Sequence, residues 1–470
     1  VLSTDLKQEL AEIVGEAHLR DDPESRISHS YDATPMYQSL PDGIIYPGST
    51  EEVQKILRIA SRHRLPIVGR GAGSNLSADT VPVQGGLVMV MTRMNKILEI
   101  DQENLTATVQ PGVLTKELHD AVESAGLFYP PDPSSMKVST LGGNIAECSG
   151  GLRGLKYGTT KDYVLGLEAV LANGETIRTG GKLYKDVAGY DLTKLLVGSE
   201  GTLGIMTEAI LKLIPLPEHR QAMVAHFTDL DTAAQTVSEI ISARIIPCTL
   251  EFLDRKTIQV VEENARIGLP TDMEAILLVE QDGPRSTVNR DIERIRDICR
   301  KTGAAHVEVA RTEEEGTRLM AARRNALSAL ARLRPTLILE DATVPRSRIA
   351  PMIREINRIA EKFRVTICTF GHAGDGNLHP TFLTDARNKE EIQRIEQAFD
   401  EIFEAAIRLG GTITGEHGVG MAKAPFLEWQ VGKAGMEVLR GIKKAFDPQG
   451  LLNPGKIFTE NPRKRAVDQT

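Results

Sequence analysis

The stretch VGRGAGSNLS (68–77) places glycines at 69, 71 and 73 directly after LPIVG (65–69), an apolar run that reads as a strand. A dinucleotide fingerprint of the G-x-G-x-x-G kind needs a helix to open at such a loop, so that the helix N-terminus can hold a pyrophosphate. Here NLSADTVPVQGG (75–86) follows, with a proline and no helical period, so the Rossmann reading fails on its context. A phosphate nest does not need the helix. Successive small residues let backbone N–H groups converge on an anion, and Ser74, Asn75 and Ser77 add side-chain donors. Taken alone, the loop is equally readable as a structural turn.

Upstream, GIIYP (43–47) reads as a strand, and Ser49 with Glu52 forms a capping box. Val53, Ile56, Leu57 and Ala60 give the helix that follows one buried face, so LPIVG runs parallel to the first strand by βαβ logic. Downstream, PPDPSSMKVSTLGGNIAECSGGLRGLKYG (130–158) holds five glycines between 142 and 154, which would weaken any core strand. Close backbone approach to a large ligand explains them, and an irregular surface loop is the alternative. GLVMVM (86–91), TATVQPG (106–112), GLEAVLANGETIRTG (166–180) and GIMTEAILKLIP (204–215) read as strands, with Asn173-Gly174 at a hairpin tip.

The proline-bearing LIPLPEHR (213–220) marks a boundary, after which strands and helices alternate regularly. The expected division is a first domain over 1–217, with its ligand-binding core at about 38–217, and a second over 218–410 with helices packed on a sheet. The segment 411–470 is too short to stand alone and returns to a domain already built.

At 470 residues the chain is long for one domain. Lys+Arg of 56 against Asp+Glu of 64 leaves a net charge of −8, which disfavours a nucleic-acid partner. The most basic stretch, NPRKRAVDQT (461–470), is too short to reverse this. The longest apolar run falls far below the roughly 20 residues of a membrane span, and the N-terminal pattern is a polar amphipathic helix rather than a signal peptide. Cys148, Cys248, Cys299 and Cys368 are scattered, which argues against a disulfide framework or an iron–sulfur cluster and fits a reducing cytoplasm.

TICTFGHAGDGNLHPTFL (366–383) reads as strand, turn and strand, with Asp375-Gly376 in the turn and His372 and His379 at its ends. TGEHGVG (414–420) supplies Glu416 and His417. Singly, a histidine beside a glycine is a loop residue; together, two imidazoles and a carboxylate suit Zn²⁺ or Mn²⁺. LMAARRNALSALARL (319–333) is a helix pattern carrying Arg323, Arg324 and Arg332. Guanidinium forks bind carboxylates; a solvated helix face is the alternative, and the better reading for Arg332.

VGRGAGSNLS, PGV (111–113), PPDPSS (130–135), STLGGNIAECSGGLRGLKYGTTKDYVLGLEAVLANGE (139–175), VGSEGTLGIMTEAILKLIP (197–215) and LLNPGKIF (451–458) together resemble vanillyl-alcohol-oxidase-type FAD proteins. Within these the match is to the FAD-linked D-lactate dehydrogenase and glycolate oxidase D-subunit family, over roughly 40–460. The resemblance implies an α+β fold: a PCMH-type FAD-binding domain of two α+β sub-domains, joined to an α/β second domain. It implies that Arg70, Gly71, Ala72, Gly73, Ser74, Asn75 and Ser77 wrap the FAD pyrophosphate. Pro131, Asp132, Ser134 and Thr140 would line the ribityl and ring region, together with Gly143, Asn144, Ser149 and Gly150. Gly204, Ile205 and Thr207 would stand near the flavin or adenine, and Asn453 would return to the flavin. His372, His379 and Glu416 would ligate a divalent metal, His417 would be the acid/base residue, and Arg323 would bind the substrate carboxylate.

Some relatives join flavin covalently through a histidine where this chain has Ser74, so the resemblance implies non-covalent FAD. Asn75, Ala78 and Asp79 stand where close relatives often have glycine, and Met320 where a tryptophan is common. The implied activity is oxidation of a D-2-hydroxy acid, D-lactate or glycolate first. A metal on the substrate hydroxyl would lower its pKa, a histidine would take the proton, and hydride would pass to the flavin. Electrons would leave to an acceptor protein, an iron–sulfur subunit or an electron-transfer flavoprotein, with the chain cytoplasmic or held to the inner membrane face by that partner. The rivals are a non-catalytic FAD-binding subunit, disfavoured by the late histidine pattern, and an oxidase using O₂.

Overall fold

The computed structural model describes residues 2–266 and 268–461, so most of the basic tail lies outside the described residues. The chain folds as two units. The first takes the described residues of Val1–Ser149, Thr159–Leu216 and Glu416–Lys464; the second takes Gly150–Gly158 and Pro217–Gly415.

The first unit holds two main sheets. One has the strand order Leu19–Arg20, Gly43–Ile45, Leu87–Val90, Ile67–Arg70. Its connecting helix, Thr50–His63, starts where Ser49 Oγ accepts from the Glu52 N–H at 3.3 Å and the Glu52 carboxylate accepts from the Gly48 N–H at 2.7 Å. Val53, Ile56, Leu57, Ile59 and Ala60 form its buried stripe. Gly43–Ile45 and Ile67–Arg70 are parallel, as the βαβ pattern predicts, but Leu87–Val90 lies between them and pairs with both. All four residues of Leu87–Val90 are buried, which suits a central parallel strand covered on both faces. The other sheet is antiparallel, in the order Ile97–Asp101, Thr106–Val109, Ile205–Lys212, Val164–Val170, Thr176–Gly180. Asn173-Gly174 closes its hairpin, with Gly174 at φ 79°, a conformation that favours glycine.

The second unit is built on an antiparallel sheet ordered His306–Val309, His219–Phe227, Ala275–Gly283, Thr249–Asp254, Ile367–His372, Asn377–Thr384, Thr336–Leu339. The helices Leu230–Ser242, Arg285–Thr302, Ile349–Phe363 and Lys389–Arg408 bury one face, through Phe252, Leu277, Phe382, Val288, Ile353 and Ile395 among others. Each such side chain contributes about 1.5–3 kcal/mol of burial. Alternation then turns the intervening residues of the central strands to the opposite face.

Gly150–Gly158 belongs with the second unit, although it falls inside the range expected for the first domain. A buried carboxylate ties it there: Asp282 is 2% exposed and ion-paired with Lys156, and Tyr157 donates to it at 2.9 Å. At the other end, Gly415 and Thr414 donate to Asp341 at 2.7 and 2.6 Å. The return to the first unit therefore begins at Glu416 rather than near 411. The four cysteines are free. Among the described residues no helix is long and apolar enough to cross a membrane.

Candidate functional site

The glycine loop leaves the sheet at Arg70, whose guanidinium turns under it and donates to the Tyr31 carbonyl at 2.8 Å and to Thr80 Oγ1 at 3.1 Å. A methyl group on Gly73, at φ 68°, would meet that guanidinium at 2.2 Å. The backbone N–H groups of Ala72, Gly73 and Ser74 have no protein acceptor among the described residues. Three such donors above a buried cation form the nest a pyrophosphate requires. Gly71 brings the loop against the second glycine segment, where a Cβ would stand 2.1 Å from Thr140 Oγ1. Thr140 in turn caps the helix Leu141–Glu147 by accepting from the Gly143 N–H. Asn144 donates to Thr115 Oγ1 at 2.6 Å and its carbonyl accepts from the Ser149 N–H at 2.9 Å. The residues present therefore fit FAD at this loop.

The other residues expected at the cofactor have the following surroundings within the protein. Asn75 holds its own turn, donating to Thr80 and accepting from the Asp79 N–H. Thr207 donates to the Glu168 carboxylate at 2.9 Å. Ile205 belongs to the hydrophobic core of the first unit, and Gly204 has no neighbour closer than 3.4 Å to a Cβ. Ser134 is exposed and Gly150 lies in the second unit, while Pro131 accepts from the buried His119 and Asp132 is itself buried.

Ser77 is fully buried, and its hydroxyl donates to the carbonyls of His417 and Gly418 at 2.6 and 3.0 Å. It moors the segment carrying Glu416 and His417. Glu200 holds the same segment by accepting from the N–H groups of Val419 and Gly420 at 2.7 and 2.8 Å. Asn453, in the left-handed region at φ 44°, ties the 451–458 segment in by donating to the carbonyls of Asp79 and Glu200. Beneath lies a cluster that sequence reasoning missed: one oxygen each of Asp79, Glu147 and Glu200 lie within 4.8 Å of one another. Burial, then the neighbouring carboxylates, pushes Asp79 and Glu147 well above the ordinary carboxylate range. Burial also lowers the Lys456 ammonium to about 8, against the pull of Asp79, Asp32 and Glu200.

In the second unit the strand register explains the histidines. His379 pairs with Phe370, and His372 with Asn377. All four residues therefore share one face, and the imidazoles, both buried, stand 5.2 Å apart between centroids. Glu251 lies directly across from His372 on the next strand and is also on this face. One of its oxygens bonds His372 Nδ1 at 2.6 Å and the other accepts from Arg323 Nε at 2.5 Å. Burial would raise the Glu251 carboxyl, but His372 and Arg323 outweigh it and hold the group below its ordinary value. Arg323 stacks 4.7 Å above the Phe370 ring and is 4% exposed, whereas Arg324 is exposed, as a solvated helix face requires. Two close imidazoles, one with its second nitrogen on a carboxylate, are a donor set suited to a divalent cation. In TLEFLD (249–254) Glu251 stands between Leu250 and Phe252, but the stretch also holds Asp254, and only the register with His372 singles Glu251 out.

Residues 41–180 match the family model "FAD binding domain", and residues 216–457 match "FAD linked oxidases, C-terminal domain". The chain is 62% identical to glycolate oxidase subunit GlcD of Bacillus subtilis, over 99% of both proteins. It is 39% identical to the Escherichia coli K12 subunit of the same name, covering 92% of this chain and 87% of that one. It is also 35% identical to D-lactate dehydrogenase of Anaerostipes hadrus, covering 89% and 90%. Among solved structures, p-cresol methylhydroxylase with substrate bound aligns at a TM-score of 0.82 and 17% identity, over 98% of both chains. The 4-ethylphenol oxidase of Gulosibacter chungangensis aligns at 0.80 and 23%, over 97% of both. These two likenesses concern the fold alone, and it is the vanillyl-alcohol-oxidase fold expected from the glycine segments. The chain belongs to the FAD-linked oxidase family that includes glycolate oxidase D-subunits and D-lactate dehydrogenases.

Proposed function

We propose that this flavoprotein oxidises a small D-2-hydroxy acid, glycolate or D-lactate, to the 2-oxo acid and passes the electrons to a partner protein. The observation that carries the reading is the buried Glu251–His372–Arg323 face of the second unit, which offers cation and carboxylate ligands together. A non-catalytic FAD carrier has no use for such a face. When bound, FAD supplies a hydride acceptor, and a divalent metal supplies Lewis acidity toward the substrate hydroxyl. His372 and His379 hold the metal with Glu416, the residue that follows the Asp341-anchored Gly415 in the chain. Arg323 binds the substrate carboxylate bidentately. His417, its backbone moored by Ser77, takes the hydroxyl proton.

The chain's own residues hold FAD without a covalent bond, because Ser74 offers no imidazole. The relatives named as subunits support an external electron acceptor, as does the scatter of four cysteines that could not hold a cluster. An iron–sulfur subunit or electron-transfer flavoprotein would take the electrons, placing the chain in the cytoplasm or at the inner membrane face.

The test is anaerobic single-turnover reduction of the flavin by D-lactate, L-lactate, glycolate and D-2-hydroxyglutarate. Rapid bleaching by glycolate or D-lactate and none by L-lactate is expected. No bleaching by any 2-hydroxy acid in an FAD- and metal-loaded protein would overturn the reading.

A further inference from the structure

We propose that Glu251 is the positioning residue of the site, fixing His372 as the Nδ1–H tautomer while its other oxygen holds Arg323 in place. The inference rests on the reading of His372 as a metal ligand and Arg323 as a substrate ligand. The strand register puts Glu251 opposite His372, and the flanking pair Leu253–Phe370 falls on the same face. The carboxylate sits where His372 can reach it, and Phe370 supplies the ring over which Arg323 lies.

Glu251 is 0% exposed. A carboxylate taken fully out of water survives only with charged or hydrogen-bonded partners, and it has one on each oxygen. With Nδ1–H donated to Glu251, His372 meets a cation through Nε2, and the negative partner makes that nitrogen more basic. With Nε–H of Arg323 on the second oxygen, the plane of the guanidinium is set and its terminal N–H pair forms the fork for a planar carboxylate. One side chain thereby sets the orientation of a ligand for each end of a 2-hydroxy acid, the hydroxyl through the metal and the carboxylate through the arginine. A plain counter-ion for Arg323 would have no reason to engage His372.

The test compares the FAD-loaded parent with Glu251→Gln. An amide keeps the shape but accepts through one atom only; if its oxygen keeps Arg323, its NH2 can meet His372 only by donating to Nδ1, which forces the opposite tautomer and takes Nε2 from the metal. Mn²⁺ affinity, read from free Mn²⁺ by electron paramagnetic resonance, is expected to fall about 10–100-fold, and KM for the hydroxy acid to rise, with FAD stoichiometry unchanged. A Glu251→Gln protein with parental Mn²⁺ affinity and parental KM would overturn the proposal.

Should that variant not fold, ¹⁵N-histidine spectra of the Zn²⁺-loaded parent decide the matter, the His372 signal being the one lost in His372→Gln. An Nδ1–H signal is expected, and an Nε2–H signal overturns the assignment. If His372→Gln binds Mn²⁺ as the parent does, the metal reading itself is wrong and this proposal falls with it. Normal binding in the parent, loss in His372→Gln and no change in Glu251→Gln sinks the positioning role alone.

Discussion

The hydroxyl of Ser77, at the end of the glycine loop, donates to the carbonyl of His417 at 2.6 Å across 340 residues of sequence. The Ser77 carbonyl accepts from the N–H groups of Met421 and Ala422 at 2.9 and 3.2 Å. The cofactor loop and the segment proposed to carry the base are thus one hydrogen-bonded piece. Ser77→Ala removes the only donor that this buried side chain offers, and an unsatisfied carbonyl costs about 1–3 kcal/mol. A lower Tm is expected, together with slower flavin reduction at unchanged FAD content. Parental Tm and reduction rate would show that the bond does not hold the segment.

Gly71 and Gly204 are both expected near the cofactor, but their surroundings differ. A Cβ on Gly71 would stand 2.1 Å from Thr140 Oγ1, and one on Gly204 no closer than 3.4 Å to anything. Gly71→Ala must therefore separate the two glycine segments or break the cap of Leu141–Glu147, while Gly204→Ala makes ordinary contacts. FAD retained after gel filtration should fall sharply in the first variant and stay near the parent's in the second. Equal retention in both would mean that the approach of Gly71 to Thr140 is not needed for the cofactor.

The first sheet was legible because helix Thr50–His63 carries a 3.6-residue stripe and a cap, both local signals. The insertion of Leu87–Val90 between its flanking strands was not, since periodicity says where a strand is and not which neighbour it takes. The glycine segments read as ligand-binding because they spoil any regular element. The local partners of their polar residues were not legible: Thr207 donates to Glu168, and Asn75 to Thr80. Glu251 escaped because its importance lies in a cross-strand register with a residue 121 positions away. The carboxyl cluster of Asp79, Glu147 and Glu200 draws on three separate segments and has no sequence spacing at all.

That cluster predicts a pH dependence. Glu147 keeps its proton in the folded protein well above the ordinary value of 4.5, because burial and then Glu200 disfavour its charge. A group raised on folding contributes stability that is fully present below its unfolded pKa and is lost as pH rises through the folded one. Glu147→Gln replaces a protonated carboxyl with a neutral amide and removes the share of this dependence that Glu147 carries, leaving that of Asp79. The Tm of the variant should gain on the parent as pH rises from about 4.5, the ordinary glutamate value, toward neutrality and beyond. A Tm difference constant across that range would show that Glu147 titrates normally.

The pair Lys156–Asp282 should respond unequally to loss of either partner. The Asp282 side chain is 0% exposed and that of Lys156 is 26% exposed. Lys156→Met strands a buried carboxylate with Tyr157 as its remaining side-chain partner among the described residues, and losses of this kind cost about 3–5 kcal/mol. Asp282→Asn leaves an ammonium that can reach water and an amide that can still accept from Tyr157, so the cost should be nearer that of a charged hydrogen bond, about 1.5–3 kcal/mol. The same bonds keep Gly150–Gly158 with the second unit, so weakening them should open the tryptic sites at Arg153 and Lys156. In Asp282→Asn, which retains both sites, early cleavage within 153–156 is expected under conditions where the parent resists. If Asp282→Asn proves as damaging as Lys156→Met, the asymmetry of burial does not govern the pair. If its trypsin pattern matches the parent's, the segment is held by the packing of Leu155 against Gly374 and not by the charge.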